Sequence, residues 1–355
     1  MAELLEYLNR AVEEKASDLF IITGAPVCVK KEKRIVPLEE GKVLPDRSEA
    51  LVKAIYALAG RDVRHLEQGD DDFALSVSRL GRFRVNAYHQ RGSLATVIRV
   101  VPNQIPDWSG IGVPKEVMDL AEETSGLVLF TGTAGSGKST TQACIIDRIN
   151  QTRECHIVTL EDPIEYLHRN AKSIVSQREI GIDTEDYMAA LRASLRQAPD
   201  VILLGEMRDQ ETIRAALTAA ETGHLVMATL HTRGAVETIT RIVDMFPVGQ
   251  QEQVQVQLSM GLRSVVSQQL LPSVNGELVP AFEVMRMNPA IRNYILKKEQ
   301  IIQINNVIAD GLSREGKEKM LPMDTSILQL YKAGRISKDT AMDAAYNPDN
   351  LRRRL

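Results

Sequence analysis

The chain has 355 residues, enough for two or three domains at the usual domain size. A hydrophobic content of 44% with 25% charged residues excludes a disordered chain, a collagen and a coiled-coil rod. The balance of 43 basic against 47 acidic residues leaves a net charge of −4, which gives no electrostatic case for nucleic acid as a partner.

The chain opens with a charge within three residues and no small-residue cleavage site, so its start does not read as a secretory signal. Leu4, Leu5, Leu8 and Val12 recur at helical spacing and predict an amphipathic helix over 3–15. Its polar face is acidic rather than basic, which points to packing and not to a membrane surface. Strand-like pieces follow at 18–23, 27–30, 73–77, 82–88 and 95–100, with a second helix at 49–59. Together they predict a small α+β module over 1–101. Pro102, Pro106 and Pro114, with Gly110 and Gly112, mark 102–114 as a linker.

From 115 the rhythm changes. Short apolar strands at 127–130, 156–160, 201–204 and 224–230 alternate with helices at 138–150, 184–197 and 210–221. That alternation predicts a parallel sheet covered on both faces, with right-handed crossovers. Beyond Pro289 the chain reads mostly helical. No apolar run approaches the roughly 18 residues of a membrane span. Cys28, Cys144 and Cys155 are scattered, form neither a metal knuckle nor a disulfide framework, and read as reduced thiols of a cytosolic protein.

Gly132-Thr133-Ala134-Gly135-Ser136-Gly137-Lys138-Ser139 fits G-x-x-x-x-G-K-[ST] between an apolar strand and a helix, the setting a phosphate-binding loop requires. Its glycines let backbone N–H groups turn inward, and the helix N-terminus adds partial positive charge. Lys138 is expected on the β- and γ-phosphates and Ser139 on Mg²⁺, with Thr140 nearby. No Asn-Lys-x-Asp occurs, so guanine specificity has no support. Hydrolysis also needs a group that orients water. Glu206 follows the apolar run 201–204 and so stands at the C-terminal end of a buried parallel strand, where ligands sit in such sheets. Glu161, Asp162 and Glu165 follow another strand and are expected at the same edge, offset by a cation or by arginines. His224 and His231 bracket the last strand; their spacing is not a zinc signature, and His231 is the better γ-phosphate contact. Arg192 and Arg196 are four apart, share a helix face and stand as either phosphate contacts or a solvated basic stripe.

Four blocks in register, at 132–141, 158–166, 195–209 and 222–232, resemble the secretion and type IV pilus ATPase superfamily, and its retraction-motor branch in particular. The resemblance extends to Gly81-Arg-Phe-Arg-Val-Asn86 with Arg99 downstream, similar to the family's PAS-like domain, and to Ala290-Ile-Arg-Asn293, similar to the retraction signature. It implies an α/β fold: a C-terminal RecA-like P-loop ATPase domain at 115–355, helical from about 289, preceded by a smaller α+β PAS-like domain at 1–101, with 102–114 as hinge. It implies ATP and Mg²⁺ as ligands, and catalytic roles for Glu206, Glu161, Glu165, His231, Arg84 and Arg99. Arg84, Arg99, Arg192 and Arg196 would grip the γ-phosphate, a task suited to a planar fork that never deprotonates; His224 would join the nucleotide site. The implied assembly is a homo-hexameric ring with ATP between the domains of one chain, cytoplasmic and peripheral at the inner membrane. A platform protein of that membrane, and a paralogous motor beside it, are the implied partners; no nucleic acid is expected.

Extension and secretion motors are expected to carry a long N-terminal extension and a four-cysteine zinc insert, and neither is read here. Ala134 stands where the family usually has proline and Phe20 where it has histidine. The signature helix continues Tyr-Ile-Leu-Lys-Lys, which keeps an accessory motor of the same branch as the alternative. A RecA-like ATPase acting on nucleic acid would share the fold, but no basic, aromatic-interleaved stretch supports it. Intact Lys138, Ser139 and Glu206 argue against a scaffold that binds nucleotide without turnover.

Overall fold

The structure is a computed structural model describing residues 1–31, 34–102 and 104–355, with the backbone alone at Glu67, Gln68 and Lys317. Asn103, within the expected linker, lies outside the described residues. By internal contacts the chain divides into two compact units. The first comprises Met1–Gln104 with Glu165–Leu167, and the second Ile105–Ile164 with His168–Leu355.

In the first unit a six-stranded antiparallel sheet has the order β3-β2-β1-β6-β5-β4. Its strands are β1 (Asp18–Ile21), β2 (Cys28–Lys31), β3 (Arg34–Pro37), β4 (Asp71–Val77), β5 (Gly81–Gln90) and β6 (Ser93–Val100). The helices Ala2–Glu13 and Pro45–Ala59 complete its core, in which Leu4, Leu8, Ile55, Phe83 and Ile98 are fully buried. The second helix starts earlier than the apolar pattern alone predicts, because Pro45 suits the first turn, where a missing N–H costs nothing. β3 escaped the sequence reading: all four of its residues are exposed, so it carries no burial pattern.

The second unit holds a seven-stranded sheet in the order β13-β12-β7-β11-β10-β8-β9. Its strands are β7 (Gly126–Thr131), β8 (His156–Glu161), β9 (Ile174–Glu179), β10 (Val201–Leu204), β11 (Leu225–Leu230), β12 (Leu262–Pro272) and β13 (Leu278–Arg286). All are parallel except β13, which pairs antiparallel with β12. The sheet is therefore mixed and mostly parallel, with an added antiparallel edge. Alternate residues of the central strands feed two cores. Leu127, Leu129, Ile202, Leu204 and Val226 pack on one face with the helices Gln210–Glu221 and Gly234–Asp244. Val128, Phe130, Val201, Leu203 and Met227 pack on the other with the helix Lys138–Thr152. Burial on both faces is why these strands read as unbroken apolar runs. Beyond Arg286 the chain is helical, as expected, with helices at Pro289–Ile295, Ile304–Gly311, Met323–Lys332, Lys338–Ala344 and Pro348–Arg352. No helix of the described residues is long and apolar enough to cross a membrane.

Candidate functional site

The C-terminal ends of β7, β11, β10 and β8 stand side by side in that order. β7 runs into the loop 132–139, β11 into His231, β10 into Gly205 and Glu206, and β8 ends on Glu161. Four of the elements singled out in the sequence thus share one sheet edge.

The loop is shaped by its glycines and by β12. Gly132 and Gly137 have φ of 141° and 89°. A Cβ on Gly132 would strike the Gln268 carbonyl and lie 2.7 Å from Ser136 Oγ; on Gly137 it would lie 2.7 Å from Gln268 Nε2. Gln268 is buried, and its Oε1 accepts from Thr141 Oγ1 at 2.9 Å. Lys138 Nζ donates to the carbonyls of Gly132 at 2.8 Å and Thr133 at 2.9 Å. Ser136 Oγ is buried without a hydrogen-bond partner among the described residues. Such a hydroxyl costs about 1–3 kcal/mol, which an anionic oxygen in the loop would offset. Thr133, Ala134 and Gly135 form the exposed rim, and Ser139 and Thr140 lie half-buried on the first turn of the helix Lys138–Thr152. A hydroxyl there fits a Mg²⁺ ion, which takes most of its oxygen ligands from phosphate and water. Beside the same turn, Ile111, Val113, Gln268, Leu270, Leu278 and Pro280 line an apolar cavity of about 200 Å³.

Glu206 is held at both carboxylate oxygens. Arg208 Nε donates to Oε2 at 2.7 Å, and His231 Nε2 lies 3.3 Å from Oε1. The other ring nitrogen, Nδ1, is 3.3 Å from the Gly132 carbonyl, so His231 spans the loop and the carboxylate. The bond to Glu206 raises the affinity of Arg208 for its proton. Gly205 is pinned from both neighbouring strands: its N–H donates to the Leu160 carbonyl at 2.8 Å, and its own carbonyl accepts from Thr229 Oγ1. Tyr187 lies half-buried against this segment. Burial, then the nearby Asp162, pushes its phenol pKa up, so it remains a neutral O–H donor at working pH. Tyr187, Glu206, Arg208 and Asp209 line a cavity of about 700 Å³. Glu161 accepts from Thr159 Oγ1 at 2.6 Å and from Gln177 Nε2 at 3.1 Å, while Gln177 Oε1 accepts from the His168 N–H at 2.8 Å.

Three expectations need correction or qualification. His224 precedes β11, and its Nδ1 lies 2.9 Å from the Ala219 carbonyl. The six residues of β11 separate it from the loop's edge by about 20 Å at 3.3 Å per residue, so it does not join the nucleotide loop of its own chain. Arg196 lies beyond the helix Tyr187–Ser194, and its Nη1 donates to the Arg192 carbonyl at 3.1 Å; both arginines are exposed. Glu165 falls in the first unit, so the acidic box is divided after Ile164. In the first unit Arg84 and Arg99 are direct cross-strand partners on β5 and β6. Arg99 Nε reaches Asp18 at 3.0 Å and Arg84 Nε reaches Asp72 at 3.9 Å. Arg208, Tyr187, Gln177 and Gln268 were missed. Arg208 carried a signal, a cation two residues from the expected carboxylate, but the other three had none.

Residues 2–278 match the family described as type II/IV secretion system protein. The chain belongs to that family. It is 39% identical to the type IV pilus retraction ATPase PilT of Pseudomonas aeruginosa, over 98% of this chain and 100% of that one. It is 35% identical to the type IV pilus ATPase PilU of the same organism, over 99% of this chain and 90% of that one. A crystal structure of the pilus retraction motor PilT with bound ADP superposes with a TM-score of 0.89 at 44% identity, covering 98% of each chain. Both the relatives and the fold thus lie among pilus ATPases, and PilT-like proteins match more strongly than PilU.

Proposed function

We propose that this chain is the subunit of an ATP-hydrolysing homo-hexameric motor that retracts a type IV pilus from the cytoplasmic side of the inner membrane. The observation that carries the reading is the 39% identity to PilT along the whole of both chains, joined to an intact loop and Glu206 at one sheet edge. An inner-membrane platform protein and a paralogous motor are the partners that this reading entails. The accessory-motor alternative has the weaker support of 35% identity.

The site's own residues account for binding and turnover. Backbone N–H groups of the loop and the start of the helix Lys138–Thr152 face the phosphates. Lys138 Nζ leaves the Gly132 and Thr133 carbonyls for the β- and γ-oxygens, and the partnerless Ser136 hydroxyl gains an acceptor. Ser139 would hold Mg²⁺, which would neutralise phosphate charge. The apolar cavity beside Gly137 takes the base. Glu206, fixed by Arg208 and His231, orients the attacking water, and His231 senses the γ-phosphate through its place between loop and carboxylate.

Glu206→Gln tests the assignment. Nucleotide binding should persist while kcat falls by about a hundredfold or more; an unchanged kcat removes Glu206 from the mechanism. In cells, deletion of the gene should leave abundant pili that do not retract, whereas bald cells would point to extension.

A further inference from the structure

Outside the nucleotide site, one buried acidic side chain joins elements that the mechanism leaves unconnected. Glu283 on β13 has 5% of its surface exposed. Its Oε1 accepts from the Ala235 N–H at 2.9 Å, and its carboxylate also accepts from the Met323 N–H. One carboxylate therefore caps the first turns of two helices, Gly234–Asp244 and Met323–Lys332. The first of these starts three residues after His231. Gly234 has a φ of 78°, and a Cβ there would meet Glu283 Oε1 at 3.3 Å and Tyr346 Cε2 at 3.1 Å. The backbone N–H groups of Tyr346 and Asn347 in turn donate to the Asp324 carboxylate at 2.7 and 2.9 Å. In the sheet, Glu283 pairs with Ser267 of β12, which pairs with Thr131 of β7 and shares a 2.7 Å hydrogen bond with its hydroxyl. The same row therefore passes through Thr131, the residue before the phosphate loop, and on to Leu230 of β11, the residue before His231.

We propose that Glu283 is a positioning residue for hydrolysis: it fixes the start of the helix Gly234–Asp244, and with it His231, and ties that helix to the C-terminal helices. A displacement of His231 when the γ-phosphate leaves is then handed to the helix Met323–Lys332 and to Tyr346, with no contact to nucleotide required. The inference rests on the ATPase reading above and adds a coupling to it. The charged and titratable groups around the carboxylate are Asp324 on the helix Met323–Lys332 and Tyr346 from the following segment, with Arg233 and Glu237 acting on Tyr346 from the start of the helix Gly234–Asp244. Arg354 lines the cavity of about 450 Å³ that Glu283, Asp324 and Tyr346 share. Burial, partly offset by the two N–H donors, pushes Glu283 up to about 7, so its charge changes in the range where turnover is measured.

The test is a double-mutant cycle on steady-state ATP hydrolysis by the full chain between pH 6 and 8.5, using Glu283→Gln, His231→Asn and the pair. Glu283→Gln should lower kcat about tenfold and leave KM within about twofold. In the His231→Asn background it should change kcat by less than about twofold. The wild-type pH profile of kcat should carry an ionisation near 7 that Glu283→Gln removes. Multiplicative effects in the cycle, or an unaltered pH profile, would overturn the proposal, as would an unchanged kcat beside a lowered Tm. If the Gln variant does not fold, Glu283→Asp, which withdraws the carboxylate by one methylene, runs the same cycle. Failure of the ATPase reading would register separately, as wild-type protein without turnover that depends on Lys138.

Discussion

Replacing Gly205 by alanine puts a methyl group into the backbone that carries Glu206. Its Cβ would lie 2.7 Å from Tyr187 Oη, 3.1 Å from the Leu160 carbonyl and 3.4 Å from Glu161 Cα. Ordinary contacts need about 3.5 Å, so the phenol must retreat by most of an ångström and the Leu160 carbonyl by a few tenths. The phenol is the end of a side chain and can move. The carbonyl cannot move freely, because it accepts the Gly205 N–H at 2.8 Å while Thr229 Oγ1 holds the Gly205 carbonyl. Overpacking of this kind costs about 1–3 kcal/mol. In a unit of this size that is a fall in Tm of about 3–10 °C. The strand end shifts and carries Glu206 away from His231 and Arg208, so kcat should fall about tenfold while KM holds. Tyr187→Phe deletes the atom responsible for the shortest contact. In the double variant it should recover about 1 kcal/mol, or about 2–4 °C, without restoring the contact to Leu160. Calorimetry and ATP turnover on the two single variants and the pair check this. A Gly205→Ala protein with wild-type Tm and kcat, or no recovery on adding Tyr187→Phe, would refute the reasoning.

Arg208→Ala should lower kcat about tenfold because Glu206 loses the donor on Oε2. Tm should move by no more than about 4 °C, since an ion pair whose arginine is mostly exposed contributes at most about 1 kcal/mol; a larger Tm loss with kcat intact would make the pair structural. Glu283 makes a separate prediction for stability. Its folded pKa, about 7, lies above the ordinary 4.5, so the fold favours the neutral acid. The associated stability is full below pH 4.5 and is lost as pH rises through 7, a change of about 3 kcal/mol. Urea unfolding from pH 5 to 8.5 should therefore show wild type losing stability against Glu283→Gln by about that amount, and a pH-independent difference would refute it. The comparison is of slopes, because the amide also misplaces one donor against an N–H group at every pH.

The central strands of the second unit were legible because both their faces are buried, which leaves short apolar runs between helices that no half-exposed strand would give. The place of the loop 132–139 was legible because glycines and a lysine at fixed spacing stand between an apolar run and a helix, and the place of Glu206 because it follows such a run at the strand's C-terminal end. His224 shows the limit of that logic. It borders the same strand as His231, yet a strand has two ends at opposite edges of the sheet, and only one of them meets the loop. β9 carries mostly half-buried residues, so its pattern resembles a loop. Gln177 is one of them, and its bond to Glu161 depends on the Thr159–Gln177 pairing, a contact between segments that sequence spacing does not reveal.

β12 was hidden for a different reason, and that reason bears on the site. Ser264, Ser267 and Gln268 are buried there, so the strand shows neither alternation nor an apolar run. Each has a partner that exists only once the strand lies between β7 and β13. Ser264 Oγ donates to the Met285 carbonyl at 2.7 Å, Ser267 Oγ shares its bond with Thr131 at 2.7 Å, and Gln268 Oε1 takes the Thr141 hydroxyl at 2.9 Å. Left unpaired, each group would cost about 1–3 kcal/mol, so this polar strand is stable in one register and in one place. That register sets the Gln268 carbonyl and amide against Gly132 and Gly137, where they leave no room for a side chain. The same register puts Glu283 in the row that runs through Thr131. The segment least visible in the sequence therefore fixes both the shape of the phosphate loop and the route by which the C-terminal helices reach it.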